Sequence, residues 1–339
     1  MKSIKYLFIA AIAILSSCSG KNVEVQRISN QAYKVVSDSI YSRMPGSILY
    51  QDGIVYWQDV PAFEKFVHAI DVKTQTEIIS FANKGEGPHD FTAPELSLAP
   101  EVGLYINDGN KPLEILYQID DSRANLSTQI RKYENNPMAT RLLHIDNGAT
   151  LFLCPDKNQL FHIHGEDTPD ISFGERPIKD EISNAYDVFQ GNVNYHPKKK
   201  MLVYSNLTFP YLAVYKHSAD GNWSHTNELK EDWDYTISEG KLRYSPEGKK
   251  AAMEMALTDD YIVLLQRDTQ VEETVSSKER GRSMALLPHS LFIYDYDLQL
   301  KKIINMPFPM LRLCGDVETN TVYAMCVNPE FELISIDLE

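Results

Sequence analysis

His162 and His164 are the residues of this chain whose types and spacing come nearest to a metal site. They alternate along a strand-like run, and Glu166 and Asp167 follow. Alternate side chains of a strand share one face, and imidazole and carboxylate groups are common zinc ligands. A surface strand with polar residues outward explains the same pattern, and no other motif points to this run. We therefore expect no metal here.

Acidic residues recur at polar turns, where a ring of carboxylates would suit calcium. Asp also tolerates the tight backbone geometry of turns, which explains the recurrence without an ion. We therefore favour turn chemistry over a calcium site. The residues concerned are Asp52, Asp108, Asp146, Asp259, Asp260 and Asp316.

The common catalytic signatures are absent from the sequence. It contains no Gly-x-Ser-x-Gly elbow, His-Glu-x-x-His, Cys-x-x-Cys or Gly-x-Gly-x-x-Gly. We therefore assign no catalytic residue and no cofactor. Trp223, Trp233 and Tyr235 lie in polar sequence, where they either form a stacking platform for a sugar or peptide or pack between structural units.

The N-terminus reads as an export signal. Lys2 and Lys5 precede an apolar run over residues 6–15, and small residues then lead to Cys18. This order defines a secretory signal peptide, and the run is shorter than the ~20 residues of a membrane-spanning helix. Residues 15–18 resemble the bacterial lipobox, which implies cleavage before Cys18 and lipid attachment to its thiol. The predicted organisation is a signal peptide (1–17), a lipidated tether (18–27) and a single propeller domain (28–339).

The charge and the cysteine content of the sequence indicate what the protein does not bind and whether it forms disulfide bonds. The formal net charge is −14, which disfavours binding to nucleic acid or to anionic lipid through a positive field. Cys154, Cys314 and Cys326 lie in apolar strand-like runs. A hairpin turning over residues 315–320 places Cys314 opposite Thr321 and away from Cys326, so we expect three buried, free thiols.

Strand signals dominate after residue 45 and recur in the same order six times, starting near residues 47, 96, 141, 192, 253 and 310. Units of this length with several strands each favour a propeller. We predict an all-β, six-bladed β-propeller with four-stranded antiparallel blades. The last unit lacks a fourth strand, and residues 33–36 are predicted to supply it, so that N- and C-terminal strands close the ring.

Residues 84–91, Lys-Gly-Glu-Gly-Pro-His-Asp-Phe, resemble the Gly-x-Gly-Pro-x-Glu-Phe connector of TolB-like six-bladed propeller lipoproteins of diderm bacteria. Asp90 stands where glutamate is more usual. With the lipobox and the six units, the resemblance covers essentially the whole mature chain. Gly85 and Gly87 permit positive φ, and Phe91 is expected to dock the connector. Many members of this group have no assigned activity.

Two insertions lengthen the repeat, at residues 173–190 and at the charged residues 268–288. Loops of this size often bind partners, and the second is our predicted partner-contact region. We expect a non-catalytic, lipid-anchored module at the cell envelope, on the outer membrane, that binds an envelope protein or a small ligand. The alternative is a calcium-dependent hydrolase or lactonase, or a polysaccharide-processing enzyme, using channel residues. Residues 38–40, around Ser39, resemble a bacterial O-glycosylation sequon.

Overall fold

The computed structural model describes residues 25–339 except 100–101, 121, 124, 133–137, 166–167, 245–250, 274 and 276–282. Cys18 and the predicted signal peptide lie outside the described residues. No helix in the described part of the chain is long and apolar enough to cross a membrane.

Six sheets of mainly antiparallel strands follow one another along the chain, each forming one blade. Two short strands precede them, β1 (Gln26–Ile28) and β2 (Lys34–Ser37). Blade 1 holds β3 (Pro45–Gln51), β4 (Ile54–Asp59), β5 (Lys65–Asp71) and β6 (Thr76–Asn83). Blade 2 holds β7 (Pro94–Ala99), β8 (Gly103–Asp108), β9 (Leu113–Ile119) and β10 (Leu126–Lys132). Blade 3 holds β11 (Arg141–His144), β12 (Thr150–Leu153), β13 (Gln159–Gly165) and β14 (Thr168–Glu175).

The second half of the chain contains the other three blades and the two insertions. The short helix α1 (Ala185–Val188) leads into blade 4, which holds β15 (Gly191–His196), β16 (Met201–Asn206), β17 (Tyr211–His217) and β18 (Trp223–Lys230). A hairpin of β19 (Tyr235–Ser238) and β20 (Lys241–Tyr244) separates blades 4 and 5. Blade 5 holds β21 (Glu254–Leu257), β22 (Tyr261–Gln266), β23 (Ser290–Asp295) and β24 (Leu300–Asn305). Blade 6 holds β25 (Met310–Gly315), β26 (Thr321–Val327) and β27 (Phe331–Asp337).

The first strands of the blades form a closed ring, in which β25 of blade 6 lies beside β3 of blade 1. The predicted closure is confirmed, because β2 pairs antiparallel with β27 and places Val35 opposite Ile334. β1 was not predicted. It pairs in parallel with β24, placing Ile28 opposite Ile304, and so gives blade 5 a fifth strand.

The hydrophobic core lies between the blades. Large apolar clusters join blades 1 and 2, 3 and 4, 4 and 5, 5 and 6, and 6 and 1. Phe161 of blade 3 is typical, since it is fully buried with its ring 5.2 Å from that of Tyr215 in blade 4. Between blades 2 and 3 the apolar clusters are small and stay within one blade each. That interface therefore needs another source of cohesion.

The connector over residues 84–91 is structural, as predicted. Phe91 is fully buried in the cluster of blades 1 and 2, and Lys111 donates hydrogen bonds to carbonyls of the connector. The expected positive φ at Gly85 and Gly87 is wrong. A Cβ atom at either position would instead lie within 2.6 Å of the Asp90 carboxylate, so close approach explains both glycines.

The thiols and the last hairpin partly match expectation. Cys154, Cys314 and Cys326 are buried, and none of them forms a disulfide bond with another described residue. The predicted register is wrong by two residues, because Cys314 lies opposite Tyr323. Gly315 still belongs to β25, so the turn begins only at Asp316.

Candidate binding surface

The alternation of strands gives the ring two faces with different loops. The loops between the second and third strands of each blade, and the connections between blades, form the upper face. The turns between first and second strands, and between third and fourth, form the lower face. Asp108 ends β8 on the upper face, whereas Asp52, Asp146, Asp259 and Asp316 lie at lower-face turns. The acidic turns therefore do not form a single ring of carboxylates.

The acidic side chains accept hydrogen bonds from backbone groups of loops and form ion pairs between blades. The Asp108 carboxylate accepts hydrogen bonds from the backbone N–H groups of Thr92 (2.5 Å) and Asn110 (2.8 Å). At the lower mouth of the channel, three lysines of blade 4 reach three other blades. Their ion pairs are Lys198 with Glu318, Lys199 with Asp259 (3.5 Å) and Lys200 with Asp146 (2.5 Å).

His162 and His164, for which a surface strand was favoured over a metal site, each contact a polar side chain. His162 Nδ1 lies 2.9 Å from Ser172 Oγ, and His164 Nδ1 lies 2.8 Å from an oxygen of Asp170. Glu166 and Asp167 lie outside the described residues. Within the described part of the chain, no group of three or more His, Cys, Asp or Glu side chains is arranged to hold a metal ion.

Charged side chains of four inner strands line the upper part of the channel. Arg312 donates to Glu254 (2.8 Å) and to the Gly46 carbonyl (3.1 Å), which joins blades 5, 6 and 1. Burial raises the pKa of Glu254 and of Glu95, although neighbouring arginines, Arg141 among them, oppose the rise. These groups tie adjacent inner strands together around the channel.

A buried chain of polar side chains, which the sequence analysis missed, joins blades 2 and 3. His144 Nδ1 lies 3.1 Å from Ser97 Oγ, and His144 Nε2 lies 3.0 Å from Glu114. The residue types match those of a hydrolase triad, but the two imidazole nitrogens are exchanged, since Nδ1 and not Nε2 faces the serine. Ser97 and His144 are each only 2% exposed, however, so a substrate cannot reach the serine hydroxyl. The chain supplies the cohesion that the small apolar clusters of this interface do not.

The charge state of Glu114 fits this structural role. Burial alone would raise the pKa of its carboxyl, but the hydrogen bond and charge of His144, with help from Asn107 and Arg131, lower it overall. Asn107 Nδ2 donates to the carboxylate at 2.6 Å. Glu114 therefore stays ionised and hydrogen-bonded at neutral pH. No local motif signals this network, because its members lie in five separate strands of two blades.

Exposed large apolar side chains concentrate on the upper face. On blade 1, Tyr41 and Phe63 are 88% and 89% exposed. A second group, here called the blade 4/5 surface, comprises Tyr186, Leu207, Tyr235, Ile237, Tyr244 and Val271. Among the described residues of the lower-face turns, only Val102 is comparably exposed. Apolar groups gathered on one face mark an interaction surface.

A cleft of about 260 Å³ lies between blades 4 and 5, and its lining residue Gln270 directly precedes Val271 of the blade 4/5 surface. Its lining combines apolar with charged residues, which are Leu212, Leu229, Leu264, Phe292 and Tyr294, and Arg27, Glu231, Arg267 and Asp268. Small-molecule sites usually enclose ~300–1,000 Å³. The cleft is therefore better sized for an apolar side chain of a protein than for a whole cofactor.

The cleft is bounded by the root of the blade 5 insertion. The Glu272 carboxylate accepts hydrogen bonds from the backbone N–H groups of Asp268 (3.0 Å) and His289 (3.1 Å), and it pairs with Arg267 at 3.4 Å. Asp268 and Glu272 are both buried. The cleft wall is thus fixed by hydrogen bonds, although residues 274 and 276–282 of this predicted contact region lie outside the described residues.

Of the three aromatics considered as a stacking platform or as packing between units, Trp223 lies apart, whereas Trp233 and Tyr235 stack on each other. Trp223 stacks on Phe173 of blade 3 at 4.9 Å and packs between blades. Trp233 stacks on Phe209 at 4.4 Å and supports Tyr235 at 4.8 Å. Only Tyr235 belongs to the exposed blade 4/5 surface. The signal that marks its hairpin is Glu239-Gly240 between two short β-prone runs.

The ring of six blades, with a charged channel and one apolar face, defines a six-bladed β-propeller. A family model described as TolB-like 6-blade propeller-like matches residues 25–307, and the chain belongs to that family. The match ends before β25, and the structure supplies the sixth blade. No curated protein matches the sequence.

Solved structures are similar to this chain over about nine-tenths of its length. A member of the DUF4221 family from Bacteroides vulgatus is 12% identical over 92% of this chain and 94% of its own, with a TM-score of 0.50. The Cps50 (Swd1) propeller domain of Myceliophteria thermophila is 9% identical over 91% of this chain and 100% of its own, with a TM-score of 0.47. Raptor of Chaetomium thermophilum is 9% identical over 91% of this chain and 30% of its own, with a TM-score of 0.49.

Proposed function

We propose that this chain is a lipid-anchored envelope protein whose propeller binds another protein through the blade 4/5 surface, without catalysing a reaction. The observation that carries the proposal is the group of exposed apolar side chains on one face of the ring, beside a cleft that is lined in large part by apolar residues. Protein interfaces combine such an apolar centre with a polar rim. The lipobox resemblance supports lipid attachment at Cys18, which would anchor the module at the envelope, on the outer membrane.

The composition of the surface supports a protein partner. Tyr186, Tyr235 and Tyr244 are 39%, 37% and 45% exposed. Tyrosine supplies a large contact area together with a hydroxyl group that can form hydrogen bonds. Burial raises the pKa of Tyr211 and Tyr294 beside the cleft, so both hydroxyls stay protonated. The surface thus offers apolar area and neutral polar groups together.

Crosslinking in envelopes of the producing cells tests the proposal. The wild type, Cys18→Ala, Val271→Asp and Val102→Asp are compared, each after confirmation of its fold by circular dichroism. Both valines are exposed, at 59% on the upper face and 43% on the lower face, so the aspartates are matched. We expect a crosslinked protein that Val271→Asp loses and Val102→Asp keeps.

Two further readouts complete the test. Cys18→Ala should abolish membrane fractionation without changing the fold, because the thiol is the proposed lipid site. Metal analysis of the same purified protein addresses the enzymatic alternative. A crosslinked protein unaffected by Val271→Asp, or a stoichiometric divalent ion in a protein that captures nothing, would contradict the proposed function.

A further inference from the structure

The hairpin between blades 4 and 5 has a fixed register and one open edge. Its turn residues, Glu239 and Gly240, both adopt positive φ (53° and 69°), which matches a type I′ turn. Residues of β19 and β20 pair directly, with Ile237 opposite Leu242 and Tyr235 opposite Tyr244. In a hairpin with a two-residue turn, the pair next to the turn is hydrogen-bonded and every second pair is not. These two pairs are of the second kind, so their backbone N–H and C=O groups point away from the hairpin.

The two outer edges differ in how these groups are used. On the β20 side, Asn184 accepts a hydrogen bond from Leu242 N–H (3.0 Å) and donates one to its carbonyl (2.9 Å). Ser183 N–H likewise donates to the Gly240 carbonyl at 2.7 Å. On the β19 side, no described residue bonds the outward groups of Tyr235 or Ile237. The outer edge of β19 is therefore a strand edge that no described residue pairs with.

The side chains of the hairpin make this edge suitable for binding. Tyr235, Ile237 and Tyr244 share one face and are 37%, 40% and 45% exposed. Trp233 supports the face from below through its stack with Tyr235. β19 itself carries no proline, lysine or inward charge, the devices with which proteins commonly block an exposed edge. A β-strand of a partner would extend both the hydrogen-bond ladder and the apolar stripe.

The charges beside β19 restrict the partner further. Asp232 and Asp234 are exposed at the N-terminal end of the strand, and neither forms an ion pair with a described residue. The whole chain is acidic, with a formal net charge of −14. Lysine or arginine at the adjacent end of the partner segment would complement this pair of carboxylates.

We propose that β19 is a docking strand, to which an extended segment of a partner protein adds by main-chain pairing. The segment has apolar residues at alternate positions and a lysine or arginine beside Asp232 and Asp234. Strand addition uses backbone bonds for affinity and alternate side chains for specificity, which is what this edge provides. The inference rests on the proposed function, since it assigns the partner chemistry of the same surface.

Synthetic peptides of about ten residues, the scale of a recognition segment, test the docking strand. Valine and isoleucine alternate with threonine, and two lysines stand at one end. Binding to the Cys18→Ala protein is followed by fluorescence anisotropy. Ile237→Pro removes an outward N–H without breaking a bond inside the hairpin, and we expect it to weaken binding at least tenfold.

Matched variants distinguish main-chain pairing at the strand edge from non-specific hydrophobic binding. Ile237→Lys adds a charge on the apolar face, whereas Thr236→Lys adds the same charge on the opposite face. We expect the first to weaken binding about tenfold and the second less than threefold. N-methylation of alternate peptide amides should abolish binding in one set of positions and not in the other, because only one set faces β19. A double variant, Asp232→Asn and Asp234→Asn, should show less preference for peptides with terminal lysines over peptides without them.

Several outcomes would overturn the docking strand. The first is that the wild type and Ile237→Pro bind the peptide equally well. The second is that N-methylation of either set of alternate peptide amides has the same effect, and the third is that the peptide shows no saturable binding. A wild type that dimerises through this edge, with a monomeric Ile237→Pro, would assign β19 to a second copy instead. If the crosslinked protein of the envelope experiment is lost in Val271→Asp but kept in Ile237→Pro, the proposed function stands and the docking strand fails.

Discussion

Replacing His196 with phenylalanine is expected to remove an acid-sensitive element from the propeller. The imidazole is fully buried at the end of β15, and its Nε2 has no hydrogen-bond partner among the described residues. Burial, helped by the charge of Lys199, lowers the pKa of His196 from 6.5 to about 4, although Asp259 and Glu318 oppose the shift. The folded protein therefore resists protonation that the unfolded chain accepts.

The sign and size of the effect follow from this difference. As pH falls below ~6.5, the unfolded chain binds a proton at residue 196 and the folded protein does not. This contribution to stability is therefore fully present above pH ~6.5 and is lost as pH falls to about 4. Lowering the pKa of His196 from 6.5 to about 4 corresponds to about 3 kcal/mol of stability, of which about 2 kcal/mol is lost by pH ~5.

Urea unfolding at neutral pH and at pH ~5 measures this loss in the two proteins. Phenylalanine keeps the edge-on contact with Tyr296, whose ring centre lies 5.6 Å away. Any packing change is common to both pH values and cancels in the comparison. The wild type should lose about 2 kcal/mol more free energy of unfolding than His196→Phe. Parallel losses in the two proteins would refute the reasoning.

Three further substitutions test the packing of the ring. Gly315→Ala would place a Cβ atom 2.0 Å from the Leu257 carbonyl oxygen between blades 5 and 6. It should lower the free energy of unfolding by about 2 kcal/mol, whereas Gly109→Ala, with 3.5 Å of clearance, should change it by less than ~1 kcal/mol. Val36→Asp buries a charge in the closing strand, so chemical unfolding should show a loss of ~3 kcal/mol or more, and an unchanged stability would contradict closure through β2. Glu114→Gln should cost about 3 kcal/mol at neutral pH, and because the folded pKa is lowered, the difference should shrink as pH falls below ~4. Glu77→Gln, at the exposed pair with His68, is its control and should cost under ~1 kcal/mol.

The blade repeat could be predicted because each blade hides its apolar residues in the same way. A central strand such as β4 or β22 is buried on both sides, so its sequence is a continuous apolar run that stands out between polar turns. The closing strand was predictable for a related reason. A blade with only three strands leaves an exposed edge, and residues 33–36 were the free strand signal near a terminus.

The remaining features depend on contacts between residues far apart in sequence. β1 is three residues long and owes its existence to pairing with β24, so no local pattern announces it. Ser97, Glu114 and His144 are single polar residues in otherwise apolar strands. Nothing in the sequence indicates that they contact one another, because the contacts form only when blades 2 and 3 pack together. The hairpin of β19 and β20 had a local signal at its turn, but its open edge appears only once Asn184 is seen to occupy the other edge.

The start of the fold lies beside the candidate binding surface. Arg27 of β1 lines the cleft and pairs with Asp268 at the root of the blade 5 insertion. If Cys18 carries the lipid, the eight residue steps from Cys18 to Gln26 span at most about 28 Å in any conformation. The cleft would then stay within a few nanometres of the membrane surface, whatever the orientation of the ring. The proposed partner must accordingly present its extended segment close to the same membrane, which favours another envelope protein over one that works far from the bilayer.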